Sequence, residues 1–265
     1  SQAQGEVNIR SLGFATFIGD MIDGARDVIG FFAITLAITY ILLIFFARSW
    51  KLATAAILVS VAAVIWQLGS IRLAGYGVDP LSIMVPFLVL SIGVSHAVQM
   101  TNAWRLGVAE GLDSKAAARQ AFNRLFIPGA TALVANAAGF AVITVIDIAI
   151  IRELGITASI GVAVMLITNK FMLPVMLSYL QMSPAELARS KAPQKNTDGA
   201  ALGWLAAGAR KPVSVAVLVV SAGLLVLGVI ERRALIIGDA EAGAPEFWTD
   251  SRYNEDIRAI VSKFT

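Results

Sequence analysis

Long runs of apolar residues, separated by short polar segments, dominate this sequence. Six of the runs are about as long as, or longer than, the roughly 20 residues that a helix needs to cross the apolar core of a bilayer. They are residues 28–47, 52–71, 81–103, 125–146, 154–182 and 212–230. Apolar residues fill all sides of each run, whereas strands of a membrane barrel alternate in polarity over about 10 residues. The pattern predicts an all-α polytopic membrane protein with six transmembrane helices.

The composition agrees with a membrane protein, because 57% of the residues are hydrophobic and only 15% are charged. Soluble domains are about 45–50% apolar and about 25% charged. The chain has no Cys and one His, His96, which excludes disulfides and the zinc sites that need several such ligands. The net charge of +3 is small. We therefore expect no cofactor, no metal and no nucleic-acid partner.

The distribution of Lys and Arg among the loops predicts the orientation in the membrane. The more basic side carries Arg48, Lys51, Arg105, Lys115, Arg119, Arg124, Arg189, Lys191, Lys195, Arg210 and Lys211. The other side carries Arg10, Arg26, Arg72, Arg152, Arg232 and Arg233 near the membrane. We predict that the more basic side is cytoplasmic and that both chain ends lie on the opposite side. Trp50 and Trp104 follow runs that end on the cytoplasmic side, where we expect them in an aromatic belt.

Two polar segments on the predicted cytoplasmic side separate the runs. Asp113 is predicted to cap a separate interfacial helix over residues 114–126, with Ala117 and Ala121 among the residues that face the membrane. Pro128 would start or kink the next transmembrane helix. Residues 183–211 are rich in Ser, Pro, Lys and Gly, which is typical of a linker.

The third apolar run carries a stripe of polar residues. The stripe recurs at helical spacing and consists of Ser91, Ser95, Gln99 and Asn102. A polar stripe of this kind must face protein or water rather than lipid. Gly93 and Ala97 form a small-xxx-small pair in the same run, and with Gly139 of the fourth run they are predicted to pack against neighbouring helices.

His96 borders the polar stripe, and imidazole is the side chain that exchanges a proton most readily near neutral pH. We therefore predict that His96, with the adjacent Ser95, forms a proton relay. The alternative is a neutral imidazole that bonds two helices together. Ser95 and His96 are neighbours on one helix and point about 100° apart, so they cannot act as a nucleophile and its base. We expect no enzymatic activity.

Lys170 is a charge well inside the fifth run. It has three interpretations: the side chain snorkels or contacts lipid, it faces the cavity of His96, or it forms a structural ion pair. A cationic lysine near His96 would disfavour protonation of the imidazole. Asn136 in the fourth run is a further amide within an apolar run, and helix bonding is its simplest role. Gln99, Asn136 and Lys170 are candidate neighbours of the relay.

Several motifs of the chain resemble the resistance-nodulation-division (RND) superfamily, and its hydrophobe/amphiphile efflux-3 (MMPL-type) branch in particular. The matching stretches are 93–96, 131–140, 151–155, 173–174, 237–239, 243–246, 251–254 and Asp256. The five-helix block over residues 28–182 also resembles the sterol-sensing domains of that superfamily. Many members carry an acidic residue followed by an aromatic where this chain has Ser95-His96, and this departure leaves open whether this half of the protein takes part in proton coupling.

The resemblance implies a protein of twelve spans in two halves, each with a large extracytoplasmic porter domain. Residues 1–27 would end the first porter domain, residues 212–230 would be the first helix of the second half, and residues 231–265 would open the second porter domain. The chain starts with Ser and opens and closes in polar segments, so we expect it to be an excerpt covering the second to seventh of twelve spans.

The function that this resemblance implies is export of hydrophobic or amphiphilic, lipid-like molecules across or out of the bacterial inner membrane, driven by the proton gradient. Both ends of the excerpt would be periplasmic. The expected partners are the rest of the polypeptide and the lipid or amphiphile substrate. A second copy of the chain and a periplasmic lipid-carrier or adaptor protein are further candidates. The alternative is a lipid- or sterol-sensing or scaffolding module that does not pump, and a weaker one is a protein-translocation motor of the same superfamily.

Overall fold

The computed structural model describes residues 14–77, 79, 81–191, 211–232, 244 and 247–264. All regular elements within these ranges are helical. Six of the helices there are long and apolar enough to cross a membrane, which confirms the predicted fold class. Several predictions lie outside the described residues: the polar opening over 1–13, the linker over 192–210, and the motif residues 237–239, 243, 245 and 246.

The chain divides into two compact units, of which Asp20–Lys191 is called the block below. It contains most of α1 (Phe14–Ala47) and all of α2 (Trp50–Leu73), α3 (Val85–Ala109), α4 (Ser114–Ile143), α5 (Ala149–Ile167), α6 (Leu173–Tyr179) and α7 (Pro184–Lys191). A 3₁₀ turn, Ser82–Met84, precedes α3, and a π-helical turn, Thr168–Met172, joins α5 to α6. The other unit contains α8 (Lys211–Glu231) and α9 (Arg252–Phe264).

Helix α3 lies at the centre of the block, where it contacts α2, α4 and α5. Two apolar clusters pack around it. Val59, Met100 and Leu173 belong to the cluster nearer the α1–α2 turn. Val89 and Met165 belong to the other cluster. Residues 96 and 170 fall between these clusters along α3 and along the α5–α6 segment, so a polar layer separates two apolar ones.

The predicted interfacial helix over residues 114–126 is not separate, because α4 runs without a break from Ser114 through Pro128 to Ile143. Asp113 caps it as predicted, since its carboxylate accepts a hydrogen bond from the backbone N–H of Ala116 at 2.8 Å. Ala117 and Ala121 are buried in the first apolar cluster rather than facing the membrane. Gly107 on α3 makes this possible, because a Cβ there would lie 3.2 Å from that of Ala117.

The prediction of an aromatic belt is wrong for Trp104 and stays a prediction for Trp50. Trp50 is 61% exposed, but Trp104 is 1% exposed and belongs to the first apolar cluster. Its indole N–H donates a hydrogen bond to the carbonyl of Ser114 at 3.0 Å. Helix α3 continues past the predicted end of the third run to Ala109, so Trp104 lies inside the helix. Its hydrogen bond to Ser114 connects α3 to the first residue of α4.

Candidate functional site

His96 and Lys170, which are 74 positions apart in the sequence, meet inside the block. Lys170 Nζ lies 3.5 Å from His96 Nδ1, which is the distance of a weak hydrogen bond. Lys170 is 1% exposed and His96 is 9% exposed. The lysine therefore neither snorkels nor contacts lipid, and of its three interpretations the structure favours the charge that faces His96.

The π-helical turn sets the position of Lys170. Such a turn inserts one extra residue into a helix, and π turns are frequent at functional sites. Pro174 follows closely, and its ring lacks an N–H and would clash with the carbonyl of residue 170 in a regular α-helix. The wider turn relieves that clash. Thr168 and Asn169 in the same turn are fully buried with Lys170.

Gly129 on α4 leaves the space for the lysine head group. A Cβ at this position would lie 2.0 Å from Lys170 Nζ, 2.5 Å from its Cε and 3.6 Å from His96 Nδ1. Any larger residue would displace the ammonium group. Helix α3 and the π turn thus each contribute one residue to what we call the His–Lys pair, and Gly129 of α4 leaves the space for it.

The pair joins two basic groups in a low-dielectric interior. No described carboxylate lies within ion-pair distance of Lys170. Two positive charges 3.5 Å apart would repel strongly there, so protonation of one side chain opposes protonation of the other. With Lys170 as the ammonium, Nζ donates to Nδ1 and the imidazole keeps its own proton on Nε2. The titrations of the two bases are therefore coupled.

Sequence reasoning missed several polar residues of this interior. Gln67 on α2 is fully buried, and neither atom of its amide has a hydrogen-bond partner among the described residues. The carbonyl oxygen of the Asn169 amide is likewise without one. Ser60 is buried and donates to the carbonyl of Ala56 at 2.8 Å. A lone Gln at helical spacing from Ser60 was the available signal, but amides also occur at ordinary helix contacts.

The polar stripe of α3 turns away from the interior of the block. Ser91, Ser95 and Gln99 are exposed, and Asn102 is half-buried and accepts a hydrogen bond from Arg105 at 2.8 Å. His96 points inward, so the structure separates it from Ser95. The stripe presents its hydroxyl and amide groups on the surface of the block.

The predicted packing residues divide between the interior and the surface. Gly93 and Ala97 are buried, and a Cβ at Gly93 would lie 3.2 Å from Ser60 Oγ, so α2 and α3 approach closely there. Gly139 is exposed and has nothing within 4 Å of an added Cβ. Asn136 is also exposed and does not reach the His–Lys pair within the block. Both remain predictions for contacts outside the block.

The part of the chain that the structure describes contains no group of three or more His, Asp or Glu side chains that could hold a metal ion. The block contains two buried basic side chains, His96 and Lys170, and the buried amides of Gln67 and Asn169. The arrangement is suited to binding and releasing a proton, since its central groups are bases.

One family model matches the chain over residues 45–189, and its description is the sterol-sensing domain of SREBP cleavage-activation. The match covers more than half of the chain, and it includes both members of the His–Lys pair. None of the curated proteins matches the chain.

Proposed function

The chain belongs to the sterol-sensing domain family, and from that premise we propose that it is the membrane part of a proton-driven exporter of hydrophobic or amphiphilic lipids. The family match supports a membrane module related to lipids or sterols. The finer assignment, to an RND-type exporter of the hydrophobe/amphiphile efflux-3 branch, rests on the resemblance of the motifs spread along the chain, although Ser95-His96 departs from the pattern of many members. We propose no enzymatic step for this chain.

The observation that carries the proposal is the His–Lys pair. A structural helix contact does not need two ionisable groups, and a lysine charge at the helix centre costs about 2.5–3.5 kcal/mol inside a membrane. His96 and Lys170 nevertheless lie buried and in contact. One elementary charge crossing 100 mV releases about 2.3 kcal/mol, so passage of one or two protons is enough to drive a modest conformational change.

The polar surface of α3 supports a partner for the pair outside the block. Ser91, Ser95 and Gln99 are exposed in the middle of an apolar helix, where lipid contact would leave them without hydrogen bonds. We propose that a segment of the rest of the polypeptide covers them. An acidic side chain on that segment would balance the charge of the pair and would be its partner in the proton relay.

The localisation that follows is the bacterial inner membrane, with the basic ends of the helices in the cytoplasm and the ends of this chain in the periplasm. The partners are the lipid substrate and the rest of the polypeptide. A second copy of the chain and a periplasmic lipid carrier or adaptor complete the candidates that this function needs.

The test replaces each member of the pair in the full-length protein and measures export that depends on the proton gradient. We expect His96→Gln and Lys170→Met to abolish gradient-dependent export, because neither residue can then exchange the proton. Lys115→Met is the matched control, since Lys115 is an exposed lysine outside the pair, and it should export normally. Unchanged export by His96→Gln at normal expression would reject the relay.

A second function that is also compatible with the family match is that of a lipid- or sterol-sensing or scaffolding module that does not pump. Full-length protein reconstituted in vesicles distinguishes the two. A lipid-dependent proton flux supports the exporter. Saturable lipid binding without any proton flux, and with equal binding by wild type and Lys170→Met, supports the sensor.

A further inference from the structure

Buried polar side chains line one interface of the block, the contact between α2 and the segment formed by α5 and the π-helical turn. Helix α2 contributes Ser60 and Gln67, and the turn contributes Thr168 and Asn169; all four are 0% exposed. Ser60 and Gln67 are at helical spacing, so they lie on the same face of α2, about 10 Å apart along its axis. We call these four residues the polar seam.

The polar seam leads along the interior of the block to the His–Lys pair. Gln67 lies at the level of Val89 on α3, because a Cβ added at Gly161 of α5 would lie 2.5 Å from Val89 Cγ2 and 3.0 Å from Gln67 Cγ. Ser60 lies at the level of Gly93, where an added Cβ would lie 3.2 Å from Ser60 Oγ. The pair follows about one helical turn beyond Gly93 along α3.

The direction of the seam follows from the ends of the block. We call the end with the α1–α2 turn and the α3–α4 loop the basic end. Gln67 is the seam residue farthest from it, and Arg72, at the opposite end of α2, is exposed and about 7.5 Å beyond Gln67 along the helix. The seam therefore spans the distance between the pair and the end of the block that carries Arg72.

Three atoms of the seam have no hydrogen-bond partner among the described residues: Nε2 and Oε1 of Gln67 and Oδ1 of Asn169. Asn169 Nδ2 reaches Thr168 Oγ1 only at 3.5 Å. Ser60 Oγ donates to the carbonyl of Ala56 at 2.8 Å and can still accept a bond. Buried amides nearly always bond to protein or to ordered water. Unused donors and acceptors that recur along one interface are suited to bonding water.

The interface is closely packed in this structure, as the short distances at Gly161 and Gly93 show, so water enters only when α2 and α5 separate. The π-helical turn gives α5 a place to pivot, because it interrupts the regular hydrogen bonding of the helix just before Pro174. Unbonded amides destabilise the closed interface and are hydrated once it opens. The amides therefore favour the separation that the packing opposes.

We propose that the interface between α2 and α5 opens to water along the polar seam, and that this water connects the His–Lys pair with the Arg72 end of the block. Gln67 is the positioning residue at the entrance, since its amide both donates and accepts as a chain of water molecules requires. The use of the path, delivery of protons to the pair, rests on the proposed function, whereas the hydration of the seam does not.

The chain has no cysteine, so a single cysteine can report water inside the block. Ser60→Cys in the full-length protein places a thiol in the seam. Val59→Cys is the matched control, because Val59 is its neighbour, is equally buried and belongs to the first apolar cluster. Right-side-out and inverted membrane vesicles are treated with Ag⁺, a small ion that reaches buried thiols through water, and the thiols that remain free are counted with a maleimide after denaturation.

We expect Ser60→Cys to react about tenfold faster than Val59→Cys, since only a hydrated thiol forms the reactive thiolate readily. The reaction should occur in the vesicles whose medium also labels the exposed Arg72→Cys, and not in those of opposite orientation. Equal rates for Ser60→Cys and Val59→Cys, or reaction of Ser60→Cys from the basic end, would overturn the proposal.

Gln67→Leu, added to Ser60→Cys, tests the entrance. It should slow the reaction with Ag⁺ by about tenfold, because an apolar side chain cannot bond water. Its thermal midpoint should equal or exceed that of the parent, since removing an unpaired buried amide is neutral or stabilising, so misfolding would not explain the slower reaction. An unchanged rate would overturn the role of Gln67. A reactive seam together with normal export by His96→Gln would support the water path and reject the relay, and an unreactive seam together with loss of export would do the reverse.

Discussion

The contact between His96 and Lys170 depends on a glycine, because Gly129 has no side chain and leaves the volume that Lys170 Nζ occupies. Gly129→Ala would place a carbon 2.0 Å from that atom, and the flexible end of the lysine would swing away from His96. Ala is the better helix former by about 0.8–1.0 kcal/mol, so the helix itself should tolerate the change. We expect at least a tenfold loss of gradient-dependent export, the factor that corresponds to about 1.4 kcal/mol, with the thermal midpoint little changed.

Gly69→Ala on α2 is the control for this substitution, since Gly69 is an exposed helical glycine with nothing within 4 Å of an added Cβ. It should export at the level of wild type. Normal export by Gly129→Ala would mean that the contact between Lys170 and His96 is not required. Export is measured in the full-length protein, together with the thermal midpoint in detergent.

The sequence predicts the two residues of this pair as candidates, but it does not predict that they are in contact. The presence of one His and of one Lys inside apolar runs is visible in the sequence, and this made both residues candidates. Their contact is not visible, because it depends on the π-helical turn before Pro174 and on Gly129 of a third helix. Gln67 was missed for a related reason: an amide in an apolar run signals burial, but its lack of a partner emerges only once the neighbouring helices are packed.

At the level of the elements, the apolar runs predict the spans well and the helix ends less well. Hydropathy reports which residues match the bilayer, so α2 and α8 end within two residues of their predicted limits. The extension of α3 to Ala109 and the continuity of α4 through Pro128 come from packing at the basic end, where Gly107 admits Ala117 and Trp104 bonds to Ser114. Hydropathy does not predict these extensions, because those helix ends contain polar residues.

Helix α7 carries one buried carboxylate, Glu186, which contacts the α1–α2 turn. Burial raises the pKa of Glu186, but hydrogen bonds from Ser49 and Ser183 and the nearby Lys51 outweigh it, and the pKa lies below its usual value. The backbone N–H of Ser183 donates to Glu186 at 2.8 Å, and the N–H of Glu186 donates to Ser183 Oγ at 3.3 Å. This reciprocal arrangement is a capping box.

The lowered pKa makes the docking of α7 dependent on pH. A depressed carboxylate contributes its full stability above its unfolded pKa, about 4.3, and loses it as the pH falls through the lower pKa of the folded state. We expect a spin label at Ala188→Cys, an exposed position in a chain without cysteine, to be immobilised at neutral pH and to become mobile below about pH 4.

Glu186→Gln serves as the reference for this experiment. The amide can still accept the Ser183 hydrogen bond, but it does not titrate, so label mobility in this variant should be independent of pH between about 3 and 7. A mobility profile in Glu186→Gln that matches the wild type would assign the transition to another group. A flat profile in the wild type would show that α7 does not depend on the carboxylate.

For the whole molecule, the block places its two kinds of polar chemistry on different sides of α3. His96 faces the interior with Lys170, while Ser91, Ser95 and Gln99 face outward. A helix buried on both faces by protein can sustain both, but a helix against lipid cannot. The exposed polar groups of this central helix are thus the basis for our proposal that another segment covers it.

The orientation of the molecule is open to a direct test, because the chain has no cysteine and single cysteines can report the side of the membrane. The block carries Arg72 and Asp147 at one end of its helices and Lys115 at the other, and all three are exposed. The excess of Lys and Arg predicts that the end with Lys115 is cytoplasmic. A membrane-impermeant maleimide added to intact cells should label Arg72→Cys and Asp147→Cys in the full-length protein, but should label Lys115→Cys only after the membrane is opened. The opposite pattern would invert the predicted orientation, and the basic ends of the helices would then lie outside the cytoplasm.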